Sequence, residues 1–142
     1  MGTTLAAVIL SEIGDISRFP DPKQLTAFAG LDPVLKQSGK NKGLGYHMSK
    51  RGSPYLRRAL WLAANSIKKW DPSFAYAYQK KLDSGKNKSQ ALGFISHKLL
   101  NVVFTVLKNN IDYVPVFPPD VFLSIIVRNL VREKSLKTIM LR

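Results

Sequence analysis

Seven cations and no carboxylate fall within residues 34–58: Lys36, Lys40, Lys42, Lys50, Arg51, Arg57 and Arg58, interleaved with Gly39, Gly43, Gly45 and Gly52. Glycine lets backbone N–H groups approach an anion as closely as cationic side chains do, so a Gly-rich basic loop of this kind reads as a phosphate-binding segment. Ser38 sits inside it and, taken alone, is a loop serine. Arg57 and Arg58 follow Lys50 and Arg51 closely, which favours phosphate contact over a merely solvated helix face. A second basic cluster, Lys80, Lys81, Lys86 and Lys88, has Gly85 at its centre. Tyr76 and Tyr78 share a segment with Phe74 and read as packing residues, whereas Tyr55 is closer than they are to the basic loop and is the better candidate for base stacking.

Other chemistries find less support. Glu12, Asp15, Asp21, Asp32, Asp71, Asp83, Asp112, Asp120 and Glu133 are scattered, and none of them groups into a two-metal cluster. His47 and His97 have no second ligand at metal spacing and read as structural or surface residues. The chain has no cysteine, which excludes disulfides, thiolate metal sites and cysteine nucleophiles.

Lys and Arg number 22 against 9 Asp and Glu, a formal net charge of +13. A self-repelling excess of this size opposes folding, and a polyanionic partner is its usual reason. With 45% hydrophobic and 22% charged residues in 142, the composition is that of a folded domain. No signal peptide and no apolar run of about 20 residues is evident. The expectation is a cytoplasmic protein without a membrane segment.

The elements that must carry these residues are helical. Leu5, Ala6, Val8, Ile9 and Ile13 form an apolar face after Thr3 or Thr4, either of which can cap the helix start. Asp21-Pro22-Lys23-Gln24 combines an N-cap, a proline at the first helical position and a capping-box glutamine, and opens a helix through Phe28 that Gly30 ends. Ser53-Pro54 and Asp71-Pro72 repeat the cap-then-proline signal. Residues 54–70 place Leu56, Leu60, Ala63, Ala64 and Ile67 on one side, and residues 89–108 carry apolar side chains at helical spacing over a length that suits a central helix. Period-two alternation is nearly absent, so the predicted fold is all-α, a compact helical domain with a Gly-rich basic loop.

After Pro115 the character changes. Pro118-Pro119 interrupts the chain, and Asp120 caps a predicted last helix with Val121, Phe122, Leu123, Ile125, Ile126, Val127, Leu130 and Val131. That face is too broad for an isolated helix, and the expectation is that it packs on the body or on a second copy, making a homo-oligomer. Residues 1–115 are read as one domain and 116–142 as a tail.

Three stretches carry a family resemblance: residues 10–16 (Leu-Ser-Glu-Ile-Gly-Asp-Ile), residues 28–33 (Phe-Ala-Gly-Leu-Asp-Pro), and Gln37-Ser38-Gly39 followed at 49–60 by Ser-Lys-Arg-Gly-Ser-Pro-Tyr-Leu-Arg-Arg-Ala-Leu. Together they resemble the C-terminal domain of the insertion-sequence one-hundred-ten type transposases, the DEDD group of bridge-RNA-guided recombinases, over roughly residues 1–115. The resemblance implies a DNA partner, a guide RNA, and a nuclease-like N-terminal domain whose four acidic residues hold Mg²⁺. It also implies that Ser38 is the nucleophile toward a DNA phosphate, a role suited by the flanking Lys36, Lys40 and Lys42. Gly2, Thr3 and Thr4 resemble the second half of a helix-hairpin-helix turn that offers backbone amides to DNA. The expectation is therefore an N-terminally truncated chain, inactive alone, with DNA contacts at Gly2, Thr3, Thr4, Lys36, Lys40, Lys42, Lys50, Arg51, Arg57 and Arg58 and with no metal site of its own.

Overall fold

The computed structural model describes residues 2–35 and 46–117. Five helices account for most of them: α1 (Thr3–Ile13), α2 (Pro22–Ala29), α3 (Pro54–Trp70), α4 (Pro72–Asp83) and α5 (Lys88–Asn109), with a single 3-10 turn at Ile16–Arg18 between the first two. Each cap-then-proline signal starts a helix. Asp21 Oδ1 accepts from the backbone N–H of Lys23 at 2.7 Å and of Gln24 at 3.1 Å. Ser53 Oγ accepts from Leu56 N at 3.1 Å, and Asp71 Oδ1 from Ser73 N at 2.9 Å and Phe74 N at 3.1 Å. Each bond satisfies a donor that the first helical turn leaves without an intrahelical partner.

Two helix starts differ from expectation. The N-cap of α1 is Gly2, with no side-chain cap bond, and Thr3 and Thr4 already lie inside the helix. Helix α5 begins at Lys88 because Asn87 and Gln90 form a reciprocal capping box, Asn87 Oδ1 accepting from Gln90 N at 2.8 Å and Gln90 Oε1 from Asn87 N at 3.2 Å.

The helices close around one apolar cluster. Ile9 and Ile13 of α1, Leu25 and Ala29 of α2, Leu56, Leu60, Ala63 and Ala64 of α3, Phe74 of α4, and Ile95, Leu99 and Leu100 of α5 are buried. Burying one such large side chain contributes about 1.5–3 kcal/mol, so these contacts dominate the stability. Ala59, Ala63 and Ala64 are buried on α3, which packs against both α1 and α5. Among the described residues α5 is the one helix long and apolar enough to cross a membrane. Its apolar positions Ala91, Leu92, Ile95, Leu99, Leu100 and Phe104 are instead buried in this core, against α2, α3 and α4.

The all-α expectation holds for the helical body, with one addition. β1 (Pro33–Leu35) and β2 (Tyr46–Met48) form an antiparallel ribbon in the register Pro33 to Met48, Val34 to His47 and Leu35 to Tyr46. Strands of this length are too short for alternation to show in the sequence. Beyond α5, Asn110 takes the left-handed conformation (φ 49°), and residues 111–117 turn back so that the Tyr113 hydroxyl donates to Asp71 Oδ2 at 2.7 Å. The predicted last helix and its apolar face, residues 120–131, lie outside the described residues.

Candidate nucleic-acid interface

Three of the stretches that carry the resemblance, residues 10–16, 28–33 and 49–60, meet in space at the N-terminus of α3. Helix α2 ends at Gly30 in the left-handed conformation (φ 65°), and the backbone of 49–53 then runs back along its last turn. Ser49 N donates to Asp32 O at 2.9 Å, Lys50 N to Gly30 O at 3.2 Å and Ser53 N to Phe28 O at 2.7 Å. This approach requires glycine at position 52, where a Cβ would stand 1.9 Å from Phe28 O and 2.4 Å from Phe28 C. Side chains tie the same place together: Ser49 Oγ donates to Asp32 Oδ1, and Ser53 Oγ donates to Glu12 Oε2 at 2.7 Å. Nearby in the chain, the carboxylate of Asp15 accepts from Ser17 Oγ at 2.6 Å and Ser17 N at 2.8 Å, and these bonds hold its pKa below the ordinary value. Residues 10–16, 28–33 and 49–60 are thus one knot of hydrogen bonds.

The knot continues into the ribbon, which pairs Leu35 with Tyr46 three positions beyond the Asp32–Ser49 clasp. Ser38, Lys36, Lys40 and Lys42 fall between these two residues in sequence and lie outside the described residues. Lys50 (φ 54°) and Arg51 are exposed where the chain leaves the ribbon. Arg58 is exposed on the first turns of α3, and Tyr55 beside it is 70% exposed. Arg57 differs from its neighbour: it is half-buried, and its Nη1 donates to Ala29 O at 3.2 Å, closing the C-terminus of α2. Gly2, Thr3 and Thr4 stand at the far end of α1 from Glu12, about 12–15 Å away at 1.5 Å per residue. The fold does not gather them with the cations of the knot.

Four cations, Lys50, Arg51, Arg57 and Arg58, stand in this corner with two carboxylates, Glu12 and Asp32, each engaged by a serine hydroxyl. The N-terminus of a helix carries a partial positive charge, and α3 adds Arg57 and Arg58 to it with no acidic residue in its first turn. Lys50 and Arg51 adjoin them, and Glu12 is engaged by Ser53. An arrangement that crowds cations onto the positive end of a helix is unfavourable alone and favourable around a phosphate. Among the described residues no group of His, Asp and Glu side chains comes together that could hold a metal ion. His97 is half-buried, with Nδ1 3.4 Å from Asn101 Nδ2.

Charge does not single out Glu12, Asp32 or Ser49, which hold the corner in shape and fall only within the stretches that carry the resemblance, whereas Ser53 also shows in the sequence as a helix cap.

These stretches fall within the part of the chain that matches a known family. A family model described as the transposase IS116/IS110/IS902 family matches residues 1–79. The insertion element IS110 43.6 kDa protein of Streptomyces coelicolor is 32% identical over 124 residues, 87% of this chain and 30% of that protein. The insertion element IS116 44.8 kDa protein of Streptomyces clavuligerus is 33% identical over 122 residues, 83% of this chain and 29% of its own length. The pilin gene-inverting protein of Moraxella bovis is 33% identical over 107 residues, 72% of this chain and 32% of its own. The chain thus spans about 30% of the length of the curated relatives it matches. With the family model covering more than half of its residues, including the whole hydrogen-bonded knot and the loop it carries, this chain belongs to the transposase IS116/IS110/IS902 family.

Proposed function

We propose that this chain is the DNA-handling C-terminal part of a transposase or site-specific recombinase, in which the loop 36–45 meets a DNA phosphate. One observation carries the reading. The ribbon and the Asp32–Ser49 clasp hold together the two chain ends, Leu35 and Tyr46, between which Lys36, Ser38, Lys40 and Lys42 lie in sequence, and the exposed Lys50, Arg51 and Arg58 follow shortly after. The kinship with a protein named for inverting a gene agrees with it. In the whole enzyme Ser38 Oγ attacks phosphorus and the ester oxygen of one DNA strand leaves, so that a phosphoserine bond replaces a phosphodiester bond and the hydroxyl proton ends on the released strand. The lysines offset the charge that builds on the phosphoryl oxygens. The described residues do not fit a Mg²⁺ site, and no step in this chain is routed through one. Residues 1–115 form the DNA-handling domain in this reading, 116–142 a tail suited to a second copy, and a guide RNA is a further partner of the full enzyme.

Binding is tested on duplex DNA by anisotropy across a salt series. Six phosphate contacts give a slope near −5 in log K against log salt, from about −0.9 per phosphate. A flat salt response overturns the polyanion reading. The nucleophile is tested by trapping a covalent adduct on suicide DNA, with the remainder of the enzyme supplied. An adduct that persists in Ser38→Ala removes Ser38 from the role.

A further inference from the structure

The second basic cluster finds no use at the α3 corner, and the fold turns part of it into a groove. Helices α4 and α5 are joined by a tight turn at Gly85 (φ 81°) and pack side by side. Between them lies a cleft of about 410 Å³ whose lining includes Tyr76, Lys80, Lys81, Ser84, Phe94 and Lys98 and no carboxylate. This is the size of clefts that hold small ligands or single residues of a polymer. Two of its lysines are held in place by aromatic rings: Lys81 Nζ lies 4.2 Å from the centroid of Phe94, and Lys98 Nζ lies 5.1 Å from that of Phe74 while donating to Ser73 Oγ at 3.1 Å. Phe94 remains 40% exposed and Tyr76 36% exposed.

A phenylalanine left open to water beside half-buried ammonium groups is costly on both counts. A cation over an exposed ring recovers only about 0.5–1 kcal/mol. One class of ligand relieves both costs together: a strand whose charge repeats along its backbone and whose bases present flat faces. We propose that the α4–α5 groove binds a single-stranded segment of nucleic acid, with Lys80, Lys81 and Lys98 on its phosphates and a base stacked against Phe94, bordered by Tyr76. Duplex is excluded by the chemistry, because paired bases offer no free face for stacking. The groove adjoins the ribbon through α5. A Cβ placed on Gly93, the residue before Phe94, would stand 3.1 Å from Met48 Cε of β2. The inference shares a polyphosphate partner with the proposed function but rests on different residues. Its recognition reads phosphate and base face and ignores the sugar.

The test is anisotropy of labelled dT12, U12 and a 12-base-pair duplex on the full chain. Phe94→Ala weakens dT12 and U12 by about tenfold each and leaves the duplex unchanged, since one stacked base contributes on that scale. Phe94→Trp restores binding. Lys81→Gln combined with Lys98→Gln flattens the single-strand salt slope by about 1.4, at about 0.7 per phosphate. As a readout independent of stability, ultraviolet cross-linking of a 5-bromouridine 12-mer attaches to the peptides carrying Tyr76 or Phe94. Wild-type affinity of Phe94→Ala for dT12, cross-links confined to residues 46–58, or a preference beyond tenfold between dT12 and U12 each overturn the inference. Failure of the proposed function is seen separately, as duplex affinity that does not respond to Lys50→Gln and Arg58→Gln.

Discussion

Glu12 Oε2 and Ser53 Oγ lie 2.7 Å apart across 41 residues of sequence, and Ser53 uses the same oxygen to cap α3. One hydroxyl thereby donates to a carboxylate of α1 and accepts from the backbone of α3. The pair fixes where the first turn of α3, with its arginines, stands relative to the body.

Removing this hydroxyl has two costs. Ser53→Ala loses the cap and leaves a half-buried carboxylate without its donor, and it is expected to destabilise the chain by about 1–2 kcal/mol. A double-mutant cycle with Glu12→Ala isolates the link between the helices, with a coupling of about 1 kcal/mol in urea denaturation. Strictly additive effects of the two changes would show that the bond does not couple α1 to α3.

Glycine 52 offers a sharper contrast. The Cβ of an alanine there would overlap the carbonyl of Phe28, which is backbone and cannot swing away. Gly52→Ala therefore forces the 49–53 segment off α2 and costs about 2–4 kcal/mol. Gly85 has φ 81° but open space around its Cβ position, so Gly85→Ala carries only the conformational strain, about 1 kcal/mol. Equal melting temperatures for the two variants would mean that the close approach at Phe28 is wrong.

Features set by neighbouring residues show in the sequence, and those set by distant contacts do not. The helix starts at Pro22, Pro54 and Pro72 were legible because cap and proline are neighbours, and the chemistry of a helix end is local. The exposed cations Lys50, Arg51 and Arg58 were legible as a charge run. The ribbon was not, since three-residue strands hold barely one period of alternation. Nor was the separation of Arg57 from Arg58, because it depends on where the end of α2 arrives after folding. The bonds of Glu12 to Ser53 and Asp32 to Ser49 join residues 41 and 17 positions apart, and no local pattern encodes such partners.

Tyr113 gives the fold a pH-dependent strap. Burial, and then its hydrogen bond to Asp71, raise the pKa of its phenol above the ordinary value of 10.0. The folded chain thus keeps a proton that the unfolded chain releases. The contribution of this bond is complete below pH 10 and declines as pH rises past it. Tyr113→Phe is expected to lose about 1 kcal/mol at pH 7. The difference between wild type and variant should shrink between about pH 10 and pH 12, because the wild type alone meets this titration. Lysine titration affects both proteins alike, so the comparison cancels it. A difference that stays constant to pH 12 would remove the strap.

Arg57 and Arg58 are neighbours in sequence with different surroundings. The guanidinium of Arg57 donates to Ala29 O at 3.2 Å and packs against Gly30, where a Cβ would come within 2.7 Å of Nη1. It supplies a donor to the carbonyl-rich end of α2, and Arg57→Ala is expected to cost about 1–2 kcal/mol of stability by freeing that acceptor. Arg58 is exposed on α3. Its replacement by glutamine should leave the urea midpoint within the experimental scatter. On duplex DNA, however, Arg58→Gln should lower affinity at 50 mM salt and flatten the log K against log salt slope by about 0.9, the signature of one lost phosphate contact. Arg57→Gln should alter the midpoint more than the slope. If both variants change the slope equally and neither changes the midpoint, then Arg57 leaves Ala29 to join the DNA, and the tie between α2 and α3 is made by backbone alone.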